Sequence, residues 1–501
     1  MMVKLLVVGV DGATWSVIDP LMARGQLTHF KRLRDCGASG TMQAFQYMLN
    51  SALLWTSINS GKLPEKHGIE FFGATATDVR CKRIWEVLEE QGWRVGVCGE
   101  LVTWPPREVN GFLIPDLFAL GPQTHPDDLQ FLQEIALGEK NSESTNRRIP
   151  GAAPRQLLRY GVRPETIAAS AAFLARRKLR PREQFLSWFW RKALLQPRLY
   201  TDVAVSLTKR LKLDYLSFHF HTTDTLSHRY WRYWDSTAFE NIDQNDVQGY
   251  SDVIPAAYRE ADRTLGRLLS LAGPETTILV VSDHGFKPIP YGQNYQYTLK
   301  LEHLMRLLEL TTSNTVPARL GPENVLYLKD PARKGAAANL LSMVRIASTD
   351  EPLFDVREGD GFVSFVLADR GRDLLGCSFT APFGDFAFDD LFEDRGFVDS
   401  GTHHPDGIII MAGNGIKSGQ SLPPTSPLDI APTLLALAGL PVPSDMDGRV
   451  LTEAFTEEIV ERRPVTYCDS YESGDRPAHN TATEPEESEV VLERLKALGY
   501  L

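Results

Sequence analysis

Three apolar segments of this sequence each lead into an aspartate, and two of these aspartates are followed closely by a histidine. LLVVGV leads to Asp11, YLSFHFHTT to Asp224 and TILVVS to Asp283. His228 follows Asp224 by four residues, and His284 follows Asp283 directly. Carboxylates and imidazoles are ligand types that divalent metal ions bind in proteins. Their recurrence after apolar segments favours a metal site more strongly than any single pair would.

The elements that would position these residues are buried strands. Short apolar runs bounded by glycine and polar residues are typical of a parallel sheet, and such sheets bind ligands beyond the carboxyl ends of their strands. His403, in GTHHPDG before the IIIM segment, adds a third imidazole. Three carboxylates and three imidazoles are too many for one tetrahedral ion. Two ions are therefore predicted, Zn²⁺ first and Mn²⁺ second, an arrangement that suits phosphoryl transfer.

Each pair has a simpler interpretation when it is taken alone. Asp224 and His228 can form a surface ion pair on one helix face. The aspartate of Asp283-His284 can cap a following helix, and Asp11-Gly12 can be a plain turn. The combination of all three at strand ends is what favours the metal site.

A phosphoryl-transfer site of this kind also needs a nucleophile, beside a metal and at a helix N-terminus where an anion is stabilised. Ser51 opens the apolar segment SALLWTSI after a loop and fits this position. Its simpler interpretation is a helix N-cap. Thr56 and Ser57 are rival hydroxyls, but they would lie a turn or more inside the helix, where backbone N–H groups are already bonded.

Other conspicuous residues have alternative interpretations. His404 adjoins His403 and is the alternative to it. His219 and His221 alternate on the strand before Asp224, and they are more typical of core groups or groups behind the ligands than of ligands. The basic stretch 176–182 can be a solvated helix face, which is favoured, or a contact with an anionic substrate or partner.

The composition is that of an ordinary globular protein. The 501 residues are 43% hydrophobic and 23% charged, and the formal net charge is −11. This charge argues against a general nucleic-acid binder, although bound cations would still allow an anionic substrate.

Five scattered cysteines favour a reducing compartment. The apolar start is short for a signal sequence and no run approaches the roughly 20 residues of a membrane span, so a cytoplasmic location is expected.

Composition also divides the chain into a core and two inserted segments. The core alternates strand-like and helix-like patterns, which is typical of βαβ units, and it is expected at residues 1–104, 198–285 and 400–470. Residues 105–197 and 286–399 differ from the core in composition and pattern and are expected to be inserted cap segments. The second of them is expected to contribute to substrate specificity. Residues 471–501 are expected to form a polar tether followed by a short docking helix.

Taken together, these motifs resemble the alkaline phosphatase superfamily, and within it the type I phosphodiesterase / nucleotide pyrophosphatase family. The resemblance covers the core in order but neither inserted segment. The matching motifs are Asp11, Ser51-x-x-x-Trp55-Thr56-Ser57-Ile58, Gly61-Lys62-x-Pro64-x-x-His67-Gly68-Ile69, Asp224-x-x-x-His228, Asp283-His284-Gly285 and Gly401-Thr402-His403. Further matches lie at 103–106, 429–433, 446–449 and 496–500.

The resemblance implies a three-layer α/β fold with a central, mostly parallel sheet flanked by helices. It also implies a metal-dependent hydrolase of phosphoric esters in which a serine attacks phosphorus and forms a phospho-enzyme intermediate. The nucleophile would be Ser51. One ion would be held by Asp224, His228 and His403. The other ion would be held by Asp11, Ser51, Asp283 and His284.

The substrate is less closely defined. Many nucleotide pyrophosphatases have a threonine nucleophile, and an asparagine shortly after His-Gly-Ile, where this chain has Ser51 and the residues 70–72. A small phosphorylated substrate is expected, with no nucleic-acid polymer as partner. The alternatives are a phosphomonoesterase, or a phosphotransferase or mutase for which the sequence identifies no basic substrate clamp. A sulfatase is disfavoured because the C/S-x-P-x-R context is missing, and a non-catalytic protein because every metal-type residue is present.

Overall fold

The structure is a computed structural model of the chain. It describes residues 2–44, 49–69, 74–138, 154–239, 242–289, 297–311, 314–320, 323–328, 330–359, 361–368, 374–394 and 399–472.

The helices lie as follows: α1 (Trp15–Ala23), α2 (Thr28–Asp35), α3 (Ser51–Ser60), α4 (Pro64–His67), α5 (Ile84–Glu90), α6 (Gln130–Gly138), α7 (Pro154–Arg159), α8 (Pro164–Leu179), α9 (Phe185–Ala193), α10 (Leu195–Leu211), α11 (Thr222–Trp234), α12 (Gln244–Tyr250), α13 (Val253–Leu269), α14 (Leu301–Leu307), α15 (Pro331–Ser342), α16 (Phe388–Leu391), α17 (Ile430–Ala438) and α18 (Glu457–Arg462).

The strands lie as follows: β1 (Leu5–Val10), β2 (Gly37–Gln43), β3 (Val95–Cys98), β4 (Gly111–Ile114), β5 (Tyr215–Phe220), β6 (Thr277–Val281), β7 (Gly285–Pro288), β8 (Tyr297–Leu299), β9 (Thr315–Leu320), β10 (Glu323–Leu328), β11 (Arg345–Ile346), β12 (Glu351–Pro352), β13 (Phe354–Glu358), β14 (Phe362–Leu367), β15 (Ser378–Ala381), β16 (Gly384–Ala387), β17 (Phe392–Asp394), β18 (Gly401–His404), β19 (Asp406–Gly413), β20 (Gln420–Ser421), β21 (Val442–Pro443) and β22 (Tyr467–Cys468).

The described residues group into two compact units. The first unit contains those within 1–226, 252–286 and 403–479, and the second contains those within 227–251 and 287–402. The boundary after Leu226 falls inside the continuous helix α11.

The first unit is built on an eight-stranded sheet. Its strand order is β20-β2-β19-β6-β1-β5-β3-β4. Strand β19 runs antiparallel to its neighbours β2 and β6, and the other pairs are parallel. Strands β1, β5 and β6 are buried along their whole length, which is typical of a sheet covered on both faces. The predicted α/β fold with a mostly parallel central sheet is confirmed.

Helices α1, α2, α10 and α13 pack against one another as one group, and α3, α5 and α17 pack as another. Helix α3 approaches the sheet closely because strand β1 has glycine at position 9. A Cβ atom at Gly9 would lie 2.5 Å from the ring of Trp55. The absent side chain therefore admits the indole of α3 to the sheet.

The central strands deliver the acidic residues singled out in the sequence. Strands β6, β1 and β5 are neighbours, and parallel strands end at the same edge of a sheet. Asp11 directly follows β1, Asp283 lies two residues after β6, and Asp224 lies in the first turn of α11 after β5.

The matching motifs around residues 61–66 and 446–449 contact each other. The Leu63 N–H donates to Asp447 Oδ2 at 2.8 Å, and the Asp447 N–H donates to the Gly61 carbonyl at 2.8 Å. The Lys66 ammonium donates to Asp447 Oδ1 at 2.5 Å. Asp447 therefore holds the segment after α3 in place, which is a structural role.

The second unit contains antiparallel sheets in its described parts. They are ordered β13-β14-β10-β9, β12-β11-β15-β16 and β17-β8. The roles expected for residues 105–197 and 286–399 stay predictions. The tether and docking helix expected at 471–501, including the match at 496–500, lie outside the described residues from position 473 onward.

No helix among the described residues combines the length and apolar character needed to cross a membrane.

Candidate metal centre

The ends of three neighbouring strands surround the imidazole of His284. Its Nε2 atom lies 3.2 Å from Ser51 Oγ, 3.4 Å from Asp11 Oδ1 and 3.5 Å from Asp283 Oδ2. Asp224 Oδ1 is 3.9 Å from the same atom. All five side chains are buried. The sheet thus brings Asp11 and Ser51 beside His284, although they lie 273 and 233 positions before it in the sequence.

Ser51 is the first residue of helix α3. The cap of that helix is Asn50, whose side-chain oxygen accepts a hydrogen bond from Ala52 N–H at 2.9 Å. Because Asn50 serves as the N-cap, the hydroxyl of Ser51 does not cap the helix and is directed to His284. The first turn of α3 also presents backbone N–H groups and the positive end of its dipole beside that hydroxyl.

The rival hydroxyls of α3 are engaged within the fold. Thr56 Oγ1 donates to the Ala52 carbonyl at 2.7 Å. Ser57 Oγ lies 3.0 Å from His67 Nε2, and His67 Nδ1 accepts from Ile69 N–H at 3.1 Å. Burial lowers the pKa of His67 to about 3, so the neutral ring donates from Nε2 to Ser57. His67 thus fixes the turn after α4.

Three of the histidines share one hydrogen-bond pattern. In His284, His228 and His403, the Nδ1–H group donates to a backbone carbonyl, so Nε2 is the acceptor nitrogen whenever the ring is neutral. In metal-binding histidines, the ring nitrogen that does not bind the metal typically donates to a carbonyl or carboxylate in this way. The accepting carbonyls are those of Gly285 at 3.0 Å, Gly401 at 3.1 Å and Leu49 at 2.8 Å, respectively.

The Nε2 side of the His403 ring lies against a carboxylate. The Nε2 atom lies 3.2 Å from Asp224 Oδ1, and its ring stacks on that of His284 with centroids 3.7 Å apart. His228 lies one turn after Asp224 on helix α11, which places both side chains on one helix face. Asp224, His228 and His403 are each of a residue type that can hold a metal ion. The adjacent His404 instead accepts at Nδ1 from the Asp406 N–H at 3.2 Å.

A second candidate ligand group comprises Asp11, Asp283 and His284, whose ligand atoms lie within 4.8 Å of one another. Oδ1 of Asp11 and both carboxylate oxygens of Asp283 are buried with no hydrogen-bond partner among the described residues. Buried carboxylate oxygens without donors are costly unless a cation lies beside them. The residues present therefore fit a divalent ion.

The pKa values of this group also reflect an excess of buried carboxylates over positive charge. Burial and then the carboxylates of Asp11 and Asp224 raise the pKa of Asp283 well above its usual value. Burial and then the neighbouring His403 lower the pKa of His284 to about 3. The imidazole is therefore neutral at physiological pH and can act as a ligand.

His219 and His221 lie behind Asp11. Their Nε2 and Nδ1 atoms are 3.2 Å and 3.1 Å from the same oxygen, Asp11 Oδ2. Burial and the carboxylate of Asp224 oppose ionisation of Asp11, but these two hydrogen bonds outweigh them and lower its pKa. Because both rings are hydrogen-bonded to Oδ2, Oδ1 of Asp11 is directed toward His284. Asp11, His219 and His221 also form a third group with candidate ligand geometry.

The geometry can be set beside known proteins. The family model described as type I phosphodiesterase / nucleotide pyrophosphatase matches residues 5–362. This range contains both aspartate–histidine pairs, Asp11 and Ser51, whereas His403 lies beyond its end. No curated protein matches the chain significantly. Because the model covers more than half of the chain, including the strands that carry the centre, the chain belongs to the type I phosphodiesterase / nucleotide pyrophosphatase family, a family of phosphoric ester hydrolases.

Proposed function

We propose that this protein hydrolyses a phosphodiester or pyrophosphate bond of a small molecule, with two divalent cations and Ser51 as the nucleophile. The family assignment supports phosphoric ester hydrolysis in general. The finer proposal rests on one observation: three histidines give their Nδ1–H groups to backbone carbonyls and keep Nε2 as the acceptor nitrogen.

The ligands divide into two sets. Asp224 and His403 are in contact, and His228 follows on the same face of α11, so these three would hold one ion. Three imidazoles among carboxylates favour Zn²⁺, with Mn²⁺ as the second choice. The other ion would be held by Asp11, Ser51, Asp283 and His284.

The chain's own groups account for the course of the reaction. Bound cations would supply Lewis-acid stabilisation of the phosphoryl oxygens and lower the pKa of the serine hydroxyl. The N-terminus of α3 faces the same region, so its N–H groups favour the negative charge of the phosphoryl group. Ser51 Oγ loses its proton and attacks phosphorus, the P–O bond to one substituent breaks, and that group departs and takes up a proton. The rest of the substrate stays esterified to Ser51 through phosphorus. Water then attacks phosphorus, the P–O bond to Ser51 Oγ breaks, and a proton from the water restores the Ser51 hydroxyl as the phosphorylated product leaves.

We also propose a reducing, cytoplasmic environment. The described residues contain no disulfide bond, and all five cysteines are among them. Burial raises the pKa of the Cys81 thiol to about 11, which makes it unreactive. Thiol titration of the freshly isolated protein tests this. Five titratable thiols after unfolding are expected, and fewer without prior reduction would contradict the proposal.

The decisive experiment combines metal analysis with turnover. The purified protein, reconstituted with Zn²⁺ and separately with Mn²⁺, is assayed by elemental mass spectrometry. It is also assayed with bis(p-nitrophenyl) phosphate and p-nitrophenyl phosphate. Close to two ions per chain, with turnover of the diester that a chelator abolishes, is the expected result. Preference for the monoester would replace the diesterase with a phosphomonoesterase. Two ions without turnover would favour a phosphotransferase or mutase, and no bound metal would refute the proposal.

A further inference from the structure

The end of helix α8 exposes a large aliphatic side chain among positive charges. Leu179 is 82% exposed and Leu174 is 50% exposed. Lys178, Arg180 and Arg182, which surround Leu179 in sequence, are also exposed. An isolated exposed leucine is ordinary, but this one lies at a helix end within a cluster of cations.

The surrounding sequence is far more basic than the rest of the chain. Residues 174–192, here called the basic segment, contain seven basic residues and one acidic residue, whereas the whole chain carries a net charge of −11. The single acidic residue, Glu183, pairs with Arg176 at 2.5 Å. The remaining six basic residues give this segment a local excess of positive charge that favours an anionic partner.

Aromatic rings of helix α9 accompany the charges. The guanidinium of Arg177 lies 4.3 Å from the ring centre of Trp188, and that of Arg191 lies 4.2 Å from Trp190. Phe185 packs edge-on to Trp188 at 5.3 Å. Both tryptophans are only partly buried. Tryptophan, leucine and arginine side by side are the residue types that occupy the boundary between water and lipid.

We propose that the basic segment docks this protein onto an anionic lipid surface. Leu174 and Leu179 would enter the boundary between head groups and acyl chains, while Lys178, Arg180 and Arg182 would contact lipid phosphates. A nucleic acid would use the charges but would gain nothing from the exposed leucines. This docking is independent of the metal centre, because α8 and α9 pack on α10 and contribute none of the candidate ligands.

Vesicle co-sedimentation of the full chain tests the proposal. The probes are vesicles of phosphatidylcholine alone and of phosphatidylcholine mixed with phosphatidylserine, each with and without chelator. The charge variant is K178E/R180E/R182E. Its matched control is R24E/R32E/K209E, which reverses three exposed charges elsewhere in the first unit. The apolar variant is L174A/L179A. Thermal melting checks that every variant is folded.

The wild-type chain is expected to sediment with the anionic vesicles, and chelator should not change this binding. With the neutral vesicles the protein should stay in the supernatant. The charge variant should weaken binding by about a hundredfold or more, and the apolar variant by several-fold, roughly, while the matched control binds like the wild type. Equal binding to both vesicle types, or none to either, would overturn the proposal. Equal losses of vesicle binding in the control and charge variants would also overturn the proposal. Full binding by L174A/L179A would overturn it as well, because the contact would then be purely electrostatic, as with RNA.

Discussion

The hydroxyl of Ser51 lies 3.2 Å from Nε2 of His284 in a buried setting. Because His284 gives its Nδ1–H to the Gly285 carbonyl, Ser51 is the donor and the Nε2 lone pair is the acceptor. That lone pair is also the one a cation would use. If His284 held a cation through this lone pair, Ser51 would lose its acceptor, so metal loading would be coupled to the state of the nucleophile's proton.

Replacing Ser51 with alanine is expected to abolish turnover and to leave metal bound. Loss of a nucleophile should lower kcat by a thousandfold or more, roughly, whereas most candidate ligand atoms remain. The measurement is kcat for the chromogenic diester together with elemental analysis of the reconstituted protein. Ser57→Ala on the same helix is the matched control, because Ser57 bonds His67 and lies away from the centre. Full activity in Ser51→Ala would remove Ser51 as the nucleophile.

Asp283→Ala is expected to lose both metal and activity. The variant removes two buried carboxylate oxygens that accept no hydrogen bond from the described residues, and a bound cation would offset the cost of burying them in ionised form. Metal content is measured after reconstitution and should fall by about one ion per chain or more. Asp262→Ala serves as the control, since Asp262 is also buried but caps α2 through His29 and Phe30 N–H groups. Unchanged metal content in Asp283→Ala would contradict the ligand role.

The positions of the acidic residues at the strand ends were predictable, because a short apolar run followed by aspartate is typical of a buried strand that ends at that aspartate. Asp11 and Asp283 illustrate this, since both lie immediately beyond buried neighbouring strands. The sequence could not show that strand β19 runs antiparallel, because an apolar run carries no direction. Nor could it choose between Asn50 and Ser51 as the cap of α3, since both are good capping residues.

The role of His219 depends on strand register, which no local pattern encodes. His219 pairs with Gly9 across β5 and β1, and the missing side chain at Gly9 admits Trp55, whose ring packs edge-on to His219 at 4.5 Å. That contact orients the imidazole toward Asp11. Three segments far apart in the chain fix this one ring, so the sequence alone suggested only a group behind the ligands.

The two histidines behind Asp11 should tune metal affinity through that carboxylate. His219→Ala or His221→Ala removes one hydrogen bond to Asp11 Oδ2 and is expected to weaken metal binding by about 10–100-fold. Glutamine at 219 and asparagine at 221 place an amide N–H near the lost donor and should restore part of the affinity. Competition with a fluorescent chelator measures this. If neither amide variant recovers affinity over alanine, His219 and His221 are ligands of their own group and not orienting donors.

Metal stabilisation should depend on pH through Asp283. In the metal-free protein its pKa is raised well above 3.8 by burial and by the carboxylates of Asp11 and Asp224. A carboxyl with a raised folded-state pKa contributes its full stability below 3.8, and this contribution is lost as the pH rises through the folded-state value. The metal-free protein should therefore lose stability across that window, because ionising the buried Asp283 carboxyl costs more in the folded protein than in the unfolded chain.

A cation reverses this trend because it binds the ionised carboxylate and releases the proton. Protonation of His284 does not compete with cation binding, since burial lowers the pKa of this histidine to about 3 and its ligand nitrogen stays unprotonated above that pH. The rise in melting temperature on adding saturating Zn²⁺ should therefore increase as the pH is raised, and calorimetry in two buffers of different ionisation enthalpy should detect proton release. Asp283→Asn, which has no titrating carboxyl at this position, should flatten the dependence. A rise in melting temperature that is the same at every pH would show that Asp283 does not exchange its proton for the metal.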